Sequence, residues 1–195
     1  MLQRNIANRP IIQALFTVYS ITPISSQICD IPIAITLLYF AIELFKQSAE
    51  GGFAKAQMRL SSMYYNGEIV PEDLGAAYHW GVKAANQGEA EAQYMVGALL
   101  ATGERDPTKL MKAVRWFKLA AAQGDAPAQN YLGLILMGAE DTLLEGMMWL
   151  SLASQQGDKE AIEYWNTFTP KMPEQDLVKI REMARNCQAR NYQGC

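Results

Sequence analysis

Three stretches decide how this chain folds: GFAKAQMRLSSMYYNG at residues 52–67, GEAEAQYMVGALLATG at 88–103 and GDAPAQNYLGLILMGA at 124–139. Their first glycines, Gly52, Gly88 and Gly124, follow one another at 36 residues. At that offset Ala56, Ala92 and Ala128 coincide, as do Gln57, Gln93 and Gln129, and Leu60, Val96 and Leu132. A weaker copy opens at Gly157, 33 residues on, with Ala161 in the alanine position. Joint recurrence at a fixed period marks a repeat architecture, in which each unit is one supersecondary element.

The second half of each unit repeats too, in YHWGVKAANQG, RWFKLAAAQG and MWLSLASQQG, with Trp80, Trp116 and Trp149 in register. Pro71 and Pro107 recur in the loops between halves, whereas the third unit has the shorter GAEDT there, three residues fewer. Both halves read as helices. Ala92, Val96, Leu99 and Leu100 recur at three and four residues, and Ala113, Trp116 and Ala120 do likewise, so each half has an apolar face. Gly88, Gly124 and Gly157 follow Ala-rich runs, where a left-handed residue ends a helix without a Cβ clash. Asp125 stands at an N-cap position with Pro127 in the first turn, and Asp106 before Pro107 and Asp141 before Thr142 mark the other starts. The unit is helix, loop, helix, tight turn. Since no such unit buries its apolar face alone, neighbours must stack, and the expected fold is an all-α solenoid. The tryptophans are assigned to packing by their register, and Met95, Met111, Met147 and Met148 to gap filling.

Outside the repeats, Ala41 to Gly51 reads as the second helix of an incomplete leading unit, with Ala41 in the place of Ala77, Leu44 in that of Trp80 and Ala49 in that of Ala85. Pro173 to Arg190 reads as a closing helix with Leu177, Ile180 and Ala184 on one face. The organisation is thus an extension over 1–30, a solenoid over 31–170 and a capping helix with a tail over 171–195. In the extension, Arg4 and Arg9 precede an apolar run from Ile11 to Ile21, then Pro23, Ser25 and Ser26, which is the order of a secretory leader cleaved after Ser26. Gln13, Thr17 and Ser20 dilute that run, so an N-terminal helix retained in the cytoplasm is the alternative. No stable membrane span is expected, because Ile31 to Phe45 is short of the roughly 20 apolar residues required and contains Glu43.

With a formal net charge of −3 and a pI near 5.3, the chain lacks the excess of Lys and Arg that neutralises a phosphate backbone, so nucleic acid is not an expected partner. Motifs for nucleophilic serine, zinc hydrolysis, thiol redox and nucleotide binding are absent. His79, the one histidine, falls where other units have Arg115 and Met148, and reads as a solvated or loop-contacting residue rather than a base. No catalytic residue, metal or cofactor is expected.

The motifs AEAQYMVG and APAQNYLG, followed by VKAANQG and FKLAAAQG, resemble the Sel-one-like repeat over about residues 41–165. The resemblance implies a right-handed superhelix of antiparallel helix pairs, related to tetratricopeptide repeats and used as a non-enzymatic scaffold for protein complexes. The chain departs from that pattern at Ser61, which replaces the glycine of Gly97 and Gly133, in the shortened third unit, and at Ile162, which replaces the glutamine. In such scaffolds the first helix of each pair lines the concave groove. Carried over, the partner-binding positions are Lys55, Met58, Ser62 and Tyr65, then Glu91, Tyr94, Ala98 and Thr102, then Asn130, Leu134 and Met137. Tyr94 and Asn130 are expected at the centre, facing a protein or peptide segment, and their joint replacement by Ala is expected to weaken capture without loss of thermal stability.

The tail RNCQARNYQGC resembles that of exported bacterial members with paired cysteines. Pairing of Cys187 with Cys195 would contribute about 2 to 3 kcal/mol and need an oxidising compartment; two free thiols in a frayed tail are the other reading. Export to the periplasm or beyond follows from the first, a cytoplasmic location from the second. Some relatives linked to β-lactam binding carry a cysteine pair in every repeat, and this chain does not. A periplasmic hydrolase or β-lactam-binding repeat protein is one alternative function, and an RNA-binding helical repeat, which would need basic grooves, the other.

Overall fold

The computed structural model describes residues 30–67, 70–102 and 106–195, with side chains from Phe40 onward. The leader reading and Cys29 lie outside the described residues. Among the described residues nine α-helices follow one another: α1 Asp30–Glu50, α2 Ala54–Asn66, α3 Leu74–Ala85, α4 Ala90–Ala101, α5 Pro107–Ala121, α6 Ala126–Leu136, α7 Leu143–Gln155, α8 Lys159–Phe168 and α9 Glu174–Ala189. No strand occurs among the described residues. The fold is an all-α solenoid of stacked helix pairs. No helix among the described residues is long and apolar enough to cross a membrane.

Turn chemistry sets the helix ends. Gly52, Gly88, Gly124 and Gly157 all adopt positive φ, between 86° and 96°, the left-handed conformation that any Cβ would strain. The side chain of Asp125 accepts the Ala128 N–H at 2.8 Å, and Asp158 accepts that of Ala161 at 2.8 Å. On the second helices, Asp73 accepts the Ala76 N–H at 2.9 Å and Asp106 the Thr108 N–H at 2.8 Å. The Thr108 hydroxyl and amide together hold the Asp106 carboxyl below its ordinary range. Asp141 corrects the sequence reading. It lies in a 3-10 turn, Glu140–Thr142, and α7 starts after Thr142 without a side-chain cap. The three missing residues explain this: the chain must return at once, and the Thr142 hydroxyl donates instead to the Leu136 carbonyl at 2.6 Å.

The chain forms two compact units, one ending at Ala84 and the other running from Ala85 to Cys195. In the first, α1 packs on α2 and the core holds Ala49, Ala56 and Leu60, with Met63 and Trp80 against it. Ala41 and Leu44, placed by register at core positions, are exposed, while Ile42 and Ala49 are buried. Ser61, at the helix-contact position, is fully buried and its hydroxyl donates to the Ala77 carbonyl at 2.6 Å. His79 is exposed, edge-on to the Trp80 ring at 5.4 Å. The Lys83 ammonium lies 4.3 Å from the Trp80 centroid.

In the second unit α4 packs on α5, α5 on α6, α6 on α7, and both α8 and α9 on α7. Its core runs from Ala113 and Phe117 through Leu132, Met147 and Leu150 to Ile180. Of the tryptophans only Trp149 is buried; Trp80 and Trp116 are half-buried, and the inward position beside Trp116 belongs to Phe117. Methionine use divides likewise, with Met147 and Met148 buried and Met111 exposed. A methyl on Gly97 would lie 2.7 Å from the Phe117 ring, and one on Gly133 2.8 Å from the Gly146 carbonyl oxygen, so these glycines set how closely the paired helices approach. Leu177, Ile180 and Ala184 of α9 are buried as their spacing predicts. Beyond α9, Cys187 and Cys195 form a disulfide with Cα atoms 5.6 Å apart. The tail it closes places the Tyr192 ring against Gly124, and the Gln193 amide donates to the Ala122 carbonyl at 2.7 Å.

Candidate functional site

The first helices of the pairs share one device. The Nε2 of Gln57, Gln93 and Gln129 donates to the carbonyl of Ala49, Ala85 and Ala121 at 2.9, 3.2 and 3.2 Å, each eight residues back in the last turn of the preceding helix. The Oε1 of Gln93 accepts from Gln123 at 2.9 Å, and that of Gln129 from Gln156 at 2.7 Å. At Gln93 and Gln129 a buried amide with both ends satisfied ties its helix to the turn that precedes it, a role that suits glutamine at this position. Ile162, at the same position of α8, is exposed and has no such role.

With the glutamine face turned inward, the neighbouring positions of α4, α6 and α8 turn outward around a cleft of about 410 Å³. Tyr94 of α4 forms one wall, Pro127, Asn130 and Tyr131 of α6 the floor, and Gly157 to Glu160 at the start of α8 the other wall. Aromatic contacts hold the first wall. Tyr131 stacks on Phe117 with centroids 5.5 Å apart, and Tyr94 leans on both, at 5.7 Å from Tyr131 and 6.1 Å from Phe117. Burial, and then the neighbouring Tyr131, raise the Tyr94 phenol above its ordinary range, so it is a neutral hydroxyl at any physiological pH.

Asn130 is 1% exposed. Its Nδ2 donates to Glu160 Oε2 at 3.4 Å, while its Oδ1 accepts no hydrogen bond among the described residues. A buried acceptor left unpaired costs about 1 to 3 kcal/mol, so a folded protein that keeps one invites a functional explanation. Carboxylates border the cleft. Burial pushes the Asp125 carboxyl up, against the pull of the Ala128 N–H, and repulsion from Glu91 and Asp158 adds to the rise.

Of the positions chosen from the sequence, Tyr94 and Asn130 meet in this cleft. Glu91 is exposed in the first turn of α4, Ala98 is half-buried further along it, and Thr102 ends it with its hydroxyl on the Leu99 carbonyl at 2.8 Å. Leu134 is half-buried on α6, and Met137 packs on α7 against Gly146. Lys55, Met58, Ser62 and Tyr65 lie on α2 in the other compact unit, with Lys55 and Tyr65 exposed and Met58 and Ser62 half-buried. Burial changes one expectation. Tyr94 packs against the core aromatics, so truncation to alanine costs stability as well as binding. Sequence reading missed Pro127, Tyr131, Asp158, Lys159 and Glu160. Glu160 carries the register of Glu91 and Pro127 once the three-residue shift of the weak fourth copy is applied, and that signal was available.

Helix pairs turned on left-handed glycines and locked by a repeated buried glutamine define an α-solenoid repeat protein. The profile of the Sel1 repeat family matches residues 39–53, 54–89, 90–125 and 126–158, and the chain belongs to that family. The first match is the incomplete leading unit, and the copy opening at Gly157 falls outside the matches but for its first two residues. No protein of curated function matches the chain. Among solved structures, it is similar to a protective antigen of uropathogenic Escherichia coli with an SLR fold, at 25% identity and a TM-score of 0.62 over 77% of this chain and 33% of that one. A Sel1 repeat protein from Oxalobacter formigenes, 24% identical with a TM-score of 0.60 over 76% of this chain and 64% of that one, shares the fold. The chain thus spans a third and just under two thirds of the two structures' lengths. Sel1 repeat proteins are generally scaffolds for protein interaction.

Proposed function

We propose that this chain is a non-catalytic scaffold that binds a segment of a partner protein in the cleft between Tyr94, Asn130 and Glu160. The unpaired Oδ1 of Asn130, a buried residue of the cleft floor, is the observation that carries this reading, because a segment that enters the cleft and draws the amide toward it brings the N–H donors that the oxygen lacks. Three first helices contribute to the cleft, and two of them, α4 and α6, are fixed by glutamine braces, so that part of the surface is pre-organised and less entropy is lost on binding. Replacing Tyr94 by a photo-crosslinking phenylalanine in the native host tests it, with Lys112, exposed on α5, as the control position. Cross-links to one defined partner segment from position 94 and none from position 112 are expected. Equal labelling from both would contradict the proposal.

We also propose that the protein is exported. The Cys187–Cys195 disulfide supports this, since such bonds persist in oxidising compartments, as does the leader-like order of the first residues. Mass spectrometry of the chain from its own cell is expected to show a start after Ser26 and a mass two hydrogens below the dithiol. An intact Met1 with free thiols would overturn export.

A further inference from the structure

The cleft is chemically lopsided. Asp158 and Glu160 line it, and Glu91 and Asp125 lie close enough for Glu91 and Asp158 to act on the Asp125 carboxyl. Against these, Lys159 is the one cation among the lining residues. Asp125 and Asp158 each commit an oxygen to capping a helix, whereas Glu160 is exposed and holds only the weak 3.4 Å contact from Asn130. Tyr94 forms one wall with Tyr131 beside it on the floor, and the floor residue Asn130 keeps a buried Oδ1 without a partner among the described residues.

An aromatic wall, a carboxylate and a lone neutral acceptor within one small cleft suit a planar cation with several donors. Resting on the scaffold reading above, we infer that the cleft takes an arginine side chain from an extended segment of the partner protein, with Glu160 and Asn130 Oδ1 accepting its N–H groups and the Tyr94 and Tyr131 rings flanking its plane. The guanidinium satisfies these features together: five N–H donors in a rigid fork, a delocalised charge that lies against aromatic faces, and weak hydration that lowers the penalty of entry. A lysine ammonium offers a point charge to Glu160 but no fork to bridge Glu160 and Asn130. A neutral or acidic side chain leaves the carboxylates uncompensated. The cleft volume lies within the range of about 300 to 1,000 Å³ that holds a compact ligand group.

A phage library of random dodecapeptides panned on the full chain tests this. Enriched sequences would be made as synthetic peptides and titrated against the parent protein, Glu160→Gln and Asn130→Leu. Glu160 is exposed, so its variant keeps the fold even if the second does not. The inference expects arginine at one fixed position, about tenfold or greater weakening when it becomes lysine, and a similar loss with Glu160→Gln. Peptides that lack a required arginine yet lose binding on Asn130→Leu would overturn the arginine assignment while leaving the cleft as the protein-binding site. Binders insensitive to both variants, or no binders at all, would overturn the scaffold reading along with it.

Discussion

In the repeat of α4 and α5, Gly97 leaves room for the Phe117 ring, which is fully buried. In the repeat of α2 and α3, Ser61 stands at the register of Gly97 and Gly81 at that of Phe117. Ser61 then uses its hydroxyl on the Ala77 carbonyl, so the polar group it adds is satisfied. Read from sequence alone, Ser61 is a departure from the repeat. In the fold it is fully buried with its hydroxyl satisfied. The repeat of α6 and α7 offers a third solution, with Gly133 facing Gly146 and Leu150 in the aromatic place. What recurs is a close approach of two helices at this register, made by Gly97 against the Phe117 ring and by Gly133 against the Gly146 backbone.

Exchanging the solutions breaks this comparison most severely. Phe117→Gly removes a fully buried ring and is expected to destabilise by about 5 kcal/mol in chemical denaturation, from cavity formation and backbone entropy. Adding Gly97→Ser, which transplants the first repeat's pair, is expected to recover about 1 kcal/mol or more of that loss. A double variant weaker than the single one would show that the two positions do not compensate.

Glycine substitutions sharpen the point with smaller effects. Gly97→Ala drives a methyl against a side chain and is expected to cost about 1 to 3 kcal/mol, eased when Phe117→Leu is added. Gly133→Ala meets the Gly146 backbone oxygen and should cost at least as much. Parallel melting curves check this, and equal relief of both alanines by trimming a neighbouring side chain would contradict it.

The smallest effect is electrostatic. The folded Asp125 carboxyl titrates above its ordinary 3.8, so its stabilising contribution is fully present below that pH and is lost as pH rises through the folded value. Asp125→Asn keeps an N-cap acceptor and removes the buried charge. Its Tm relative to the parent is therefore expected to climb from about pH 4 to about pH 7; a flat difference would contradict the assignment.

Period and turn chemistry made the fold legible: the glycines at 88, 124 and 157, the Asp125 cap and the α9 face follow from local rules of spacing and φ. Asp141 and the half-buried tryptophans were not legible, because loop length and helix rotation decide which of two adjacent residues faces inward, and Phe117 took the place expected for Trp116. Tyr94 and Asn130 emerged from contrast between copies, since glutamine is fixed by its braces and these positions are free to vary. Their neighbours on α8 stayed hidden behind a three-residue shift, and the charge imbalance of the cleft arises only when separate helices converge.

Asn130 bears most directly on the claim that this cleft exists to bind. A buried oxygen without a partner should be a liability to the free protein and an asset to the complex. Asn130→Leu, close in volume and without polar atoms, is to be followed by thermal melting and by cross-linking from position 94 in the same background. An unchanged or higher Tm together with loss of the cross-linked partner is expected. A lower Tm with the partner still captured would contradict it.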